Sequence, residues 1–201
     1  MWRNTHERYG LAAKTLHWLV ALLFICQLPL GYLTQASADD PALQFALYQW
    51  HKSLGFLTLG LAAARLCWWA ASLHPTTLPT MSRLEKPAAY VVHRLLLLLT
   101  LLVPLAGWAV VSSSPLDIPS YAFDLVVVPN LPLAVSDAAE ALWSRIHALL
   151  AYAAGLLVLA HAAAALYHHA VRRDDTLRRM LPACDGPCPD PPAKTSREPR
   201  R

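Results

Sequence analysis

Residues 142–169 read LWSRIHALLAYAAGLLVLAHAAAALYHH. Arg145 is the last charged side chain before Arg172, and the residues between them are mostly Leu and Ala. A bilayer crossing needs roughly 20 predominantly apolar residues, so Trp143–Val171 reads as a transmembrane helix. His147 and His161 lie inside it, fourteen positions apart. Fourteen residues of helix rise about 21 Å and return to within roughly 40° of the starting direction. The two imidazoles therefore face the same interior, one near each leaflet.

Three more stretches pass the same length test: Thr15–Leu33, Trp50–Ser72 and Ala88–Val111. Only 15% of the chain is charged, against about 25% in a soluble domain, which excludes an ordinary water-soluble core. Lipid offers no partners to backbone N–H and C=O groups, so apolar runs of this length close their own bonds as helices. The expected fold is all-α, a four-transmembrane-helix bundle over residues 8–182 followed by a disordered cytoplasmic tail at 183–201. Lys and Arg set the orientation. They occupy the N-terminal segment (Arg3, Arg8, Lys14), the loop between spans two and three (Arg83, Lys86) and the C-terminal segment, whereas 34–49 and 112–142 carry only acidic charges. Both termini should face the cytoplasm, as an even number of spans requires. The first span has a basic start and Ala36-Ser37-Ala38 after it, but it exceeds the 7–15 residues of a signal-peptide core and contains His17, Gln27 and Pro29, so it is read as retained. Nothing here points to nucleic acid. Cys26 and Cys67 fall inside spans as small packing residues, and Cys184 and Cys188 in the tail are too few to define a metal site.

Histidine inside a span is costly and marks a function or a buried partner. His17 lies near the inner end of the first span, His51 at the outer end of the second and His93 at the inner end of the third. A haem iron takes two axial ligands, and neutral imidazole supplies them in a site closed to water. Each histidine of the fourth span then needs a partner at its own depth: His51 for His147 outside, His17 for His161 inside. Two bis-histidine haem b sites stacked across the bilayer follow, each bridging different helices. Fourteen positions from His17 stands Gly31, where an outer macrocycle can approach the backbone, and fourteen from His51 stands Arg65, placed to pair with an inner propionate. Lys52 and Arg145 adjoin the outer histidines. Arg145 is the expected propionate partner, and Lys52, on its flexible stem, the expected exposed cation. Lys14 is expected to snorkel to the inner interface. His93 reads equally well as a hydrogen-bonded packing residue.

With these residues in view, the chain resembles the bacterial cytochrome b561 family. The resemblance is carried by His17-Trp18, by His51 with Gly55, by His147, by the run Leu159–His169 and by Arg173-Asp174-Asp175-Thr176-Leu177-Arg178-Arg179-Met180. It implies a membrane cytochrome with two b haems, ligated by His17 with His161 and by His51 with His147, exchanging electrons with ubiquinone. It also implies His168 as a quinone contact at the inner boundary and, in one branch, oxidation of superoxide at the periplasmic face. Loop 112–142 contains no cation to attract that anion. Two redox readings therefore stand, a superoxide:quinone oxidoreductase and an electron-transfer subunit serving a periplasmic redox protein, beside a haem-free bundle in which the histidines only pack. Beyond lipid and ubiquinone, the expected partner is superoxide or that redox protein.

Overall fold

A computed structural model describes residues 1–76 and 82–181. The expected tail at 183–201, with Cys184 and Cys188, lies outside the described residues. Four helices are long and apolar enough to cross a membrane: α1 (Leu11–Ala36), α2 (Pro41–Ala71), α3 (Glu85–Ser113) and α4 (Asp137–Tyr167), which a π-turn over His168–Arg172 prolongs. "Outer" below means the end carrying His51 and His147, and "inner" the end carrying His17 and His161.

The helices outrun the apolar stretches because polar signals set their ends. Pro41, with φ preset for a first turn, follows Asp40, whose side chain accepts from Leu43 N–H, so α2 begins nine residues before Trp50. His51 is consequently inside α2 rather than at its end. Ser82 and Glu85 exchange capping-box hydrogen bonds of 3.2 and 2.7 Å ahead of α3. Ser136 caps α4, with Asp137 and Glu140 in the positive first turn. Pro29 and Pro104 sit within α1 and α3, which packed membrane helices tolerate.

The core is a waist. Phe24 of α1, Val103 of α3 and Ala154 of α4 are buried together, with Leu28, Leu99, Leu150, Ala151 and Val158 around them. Ala154 is seven residues from both His147 and His161, midway between them on the same stripe. Its small side chain lets α1 and α3 close on α4 there, and Gly155 admits Leu28 beside it. Above and below the waist, α1 packs along α2 and α3 along α4, while α1 and α4 scarcely touch. The interior histidines lie in two groups, one on each side of the waist, and the regions around them are called below the outer and the inner chamber. Outward-facing Leu22, Leu98, Leu149, Leu156 and Leu159 remain exposed, as lipid contact requires.

Loop 114–136 holds a structure that periodicity alone does not reveal. Strand β1 (Ser120–Ala122) pairs antiparallel with β2 (Val126–Val128), Tyr121 opposite Val127, around a turn in which Phe123 and Asp124 have positive φ. The hairpin lies on α2: Phe123 N–H donates to Ser53 Oγ at 2.9 Å, and the Phe123 ring stands edge-on to Trp50. Trp108 Nε1 holds the following loop through Pro129 O. At the inner end, Lys14 is buried and donates to Leu181 O at 3.0 Å, while Trp18 Nε1 donates to Met180 O. Lys14 thus does not snorkel as expected, because the segment after α4 folds over it.

Candidate cofactor sites

The outer chamber brings His51 and His147 together, with ring centroids 6.0 Å apart and planes at 85°. His147 Nδ1–H donates to Val103 O at 2.9 Å. That bond fixes the tautomer and leaves the Nε2 lone pair for a metal, the usual outer partner of a ligating histidine. His51 is set by backbone geometry: Gln27 Nε2 donates to its carbonyl at 2.9 Å, while His51 Nδ1 and Gln27 Oε1 are buried without partners. Two glycines make room for the rings. A Cβ on Gly31 would stand 3.1 Å from His51 Cε1, and one on Gly107 the same distance from His147 Cε1. Gly31 therefore faces the outer site, as its spacing suggested, but it meets the imidazole itself. Gly107 and Gln27 escaped sequence reading, since their partners belong to other helices. The polar glutamine inside an apolar span was the available signal.

The inner chamber gathers three histidines. His17 and His161 have ring centroids 6.4 Å apart, and His93 comes within 5.1 Å of His161. His93, read equally as packing, is thus at the site. Arg65 also reaches it, Nη2 donating to His17 Nδ1 at 3.0 Å. A ring that accepts at Nδ1 carries its proton on Nε2, the reverse of His147. For His17 to offer Nε2 to a metal, Arg65 must release it.

The outer cations exchange the parts expected of them. Lys52 is 8% exposed, its ammonium 4.9 Å from the ring centre of Tyr48, one turn earlier on α2. Arg145 is exposed, because two residues of helix turn it about 200° from His147. His168 is buried, Nδ1 2.6 Å from Asp174 Oδ2.

Two imidazoles on opposite sides of one metal, each bonded at about 2.0–2.1 Å, put their centroids roughly 6 Å apart. Both pairs meet that separation. Among the described residues no three His, Cys, Asp or Glu side chains converge as a bare ion would need. What fits is a group that brings its own equatorial ligands and asks the protein for two axial nitrogens, as haem does. The residues present suit haem at both depths.

Comparison with known proteins points the same way. The family model described as prokaryotic cytochrome b561 matches residues 8–183. Cytochrome b561 homolog 2 of Escherichia coli is 31% identical over 179 residues, covering 89% of this chain and 93% of that protein. Cytochrome b561 homolog 1 of the same organism is 28% identical over 182 residues, covering 88% and 98%. A Yersinia pestis protein named probable superoxide oxidase CybB is 31% identical over 185 residues, covering 88% and 97%.

Proposed function

The chain belongs to the prokaryotic cytochrome b561 family, and from that premise we propose that it carries electrons between the periplasmic face and ubiquinone through two haems, oxidising superoxide and reducing quinone. Membership makes it a multi-pass protein of the bacterial inner membrane that binds haem b and transfers electrons. The finer assignments are our reading, and the paired histidines in two chambers carry it. Haem supplies the one-electron chemistry. His51 and His147 would hold it in the outer chamber, and His17 and His161 in the inner. His147 is preset by Val103 O. Lys52, buried beside His51, suits a propionate, whereas exposed Arg145 suits steering of an anion from solution. Arg65, once off His17, would serve the inner propionate. The Phe24–Val103–Ala154 waist keeps water from between the chambers.

The test is to mix quinone-loaded protein with a superoxide source and follow haem reduction optically. Rapid reduction that a dismutase abolishes is the expected result; no reduction would overturn superoxide as the donor. The second reading, delivery from a periplasmic redox protein, is favoured by an outer surface of Asp117, Asp124, Asp137 and Glu140 with Arg145 as its cation. A basic partner would dock there, and its reduction of the haem would slow with salt.

The reading also requires both termini inside. A reporter fused after Arg179 should score as cytoplasmic and one inserted at Asp124 as periplasmic. The opposite pattern would invert the direction of electron flow proposed here.

A further inference from the structure

His51 and His147 meet the helices beside them in the same way. A Cβ on Gly107 of α3 would stand 3.1 Å from His147 Cε1, 3.3 Å from Nδ1 and 3.7 Å from Nε2. One on Gly31 of α1 would stand 3.1, 3.5 and 3.9 Å from the same atoms of His51. Each ring therefore lays its Cε1–Nδ1 edge on a glycine and turns Nε2 away from it. Four residues before Gly107 is Val103, whose main-chain oxygen accepts His147 Nδ1–H at 2.9 Å. Four residues before Gly31 is Gln27, and there the two sites differ. His51 Nδ1 is buried without a hydrogen-bond partner among the described residues, and so is Gln27 Oε1. The Gln27 amide is held beside His51 from its other end: its nitrogen donates to His51 O at 2.9 Å. Gly55, one turn further along α2, leaves room for it, since a Cβ there would stand 3.3 Å from that nitrogen. His51 and Gly55 of α2 thus interdigitate with Gln27 and Gly31 of α1. An amide inside a span is costly, and a buried donor and a buried acceptor left unmet cost more. The main-chain oxygen of Gln27 already serves the helix, whereas its side-chain oxygen serves nothing.

We propose that Gln27 is the positioning residue of His51: its amide nitrogen fixes the backbone of that histidine, and its Oε1 accepts Nδ1–H, which leaves the ring's Nε2 to the outer haem. The inference rests on the assignment of His51 and His147 to that haem given above. The terminal torsion of a glutamine is soft, so Oε1 can turn to the ring while the amide nitrogen stays on His51 O. The bond would select the tautomer that Val103 O selects in His147. An imidazole that donates its second N–H to an acceptor is a more basic ligand, and a more basic ligand favours the oxidised iron. The acceptor for His147 is a main-chain oxygen that no substitution removes. The acceptor for His51 is a side chain, so this half of the outer site can be altered without touching either ligand.

The test is a redox titration of the full chain, loaded with haem in lipid nanodiscs, for Gln27→Met and Gln27→Glu. Each haem is followed optically and by the paramagnetic resonance of its oxidised form. Gln27→Met keeps an unbranched side chain of similar length and removes the amide. The outer haem should then be easier to reduce, its reduction equilibrium constant rising about tenfold, the worth of one hydrogen bond, or about 59 mV for one electron. Its resonance should shift as well, and the inner haem should keep its potential. Gln27→Glu, whose neutral acid offers one donor and one acceptor at the same reach, should return the outer potential to the wild-type value or below it. A wild-type outer potential in Gln27→Met would overturn the proposal and give His51 Nδ1–H to a main-chain oxygen, as in His147. Equal shifts in the two variants, or loss of the outer haem from both, would overturn it in favour of packing alone. Loss of that haem from Gln27→Met with retention in Gln27→Glu would support it. An outer haem that persists in His51→Ala would overturn the pairing of ligands and this inference with it.

Discussion

Replacing His147 with Ala should lower haem content from about two per chain to about one, because an iron left with one axial imidazole loses half of its protein ligation. The effect should be confined to the outer site. His147 and His161 lie on opposite sides of the buried Phe24–Val103–Ala154 waist, and sites that share no partners respond independently. Pyridine haemochrome analysis of the purified variant measures the ratio, and an alkaline-stable reduced spectrum reports the haem that remains. Intact protein should be low-spin and unreactive with carbon monoxide, both axial positions being filled. The variant, if any outer haem persists, should bind carbon monoxide at the vacated position. Haem content unchanged from wild type would refute the His51–His147 pairing. His161→Ala should give the mirror result, and here the third inner histidine sharpens the outcome: retention of the inner haem in His17→Ala would identify His93, 5.1 Å from His161, as the ligand instead.

Replacing Gly107 with Leu should abolish the outer haem nearly as completely as removing its ligand. A Cβ at Gly107 already stands 3.1 Å from His147 Cε1, closer than ordinary contact, and the ring cannot yield freely because Nδ1 is tied to Val103 O at 2.9 Å. The branched atoms beyond Cβ must therefore displace the imidazole or part α3 from α4. Overpacking of this kind costs about 1–3 kcal/mol in a tight core. Gly107→Ala should do much less, since the ring need give by only tenths of an ångström. Gly60 supplies the control, as a Cβ there meets nothing within 4 Å. Gly60→Ala should leave haem content and melting temperature at or slightly above wild type, by up to about 1 kcal/mol from the reduced freedom of the unfolded chain. Equal haem content in Gly107→Leu and Gly60→Ala would show that His147 is not held as described.

What could be read along the chain, and what could not, divides by the range of the forces involved. The four spans were legible because lipid imposes its demand residue by residue: a backbone without water must be helical, and the side chains around it must be apolar. The placing of His147 and His161 on one face, one per leaflet, was legible for the same reason, since both belong to a single helix of fixed pitch. Arg65 and Gly31, projected by the same fourteen-residue step, do reach the inner and outer chambers. The helix ends were less legible, because Asp40 and Ser136 extend α2 and α4 past the apolar runs by capping bonds that hydropathy does not register.

The sequence by itself thus determined a membrane protein of four helical spans with histidines at two depths. Tertiary structure alone decided which of them meet and how each is held. Lys52 and Arg145 exchanged their expected exposures: Lys52 lies buried over the Tyr48 ring, while the helix turns Arg145 about 200° away from His147. The inner site acquired His93, and Arg65 took His17 Nδ1, through the packing of α2, α3 and α4 around a waist built on Ala154. Even the His168–Asp174 pair, six residues apart, depends on a π-turn and a left-handed Arg173 that no helical period announces. Contacts between helices are set by side-chain volumes summed over whole interfaces, so no local stretch contains them.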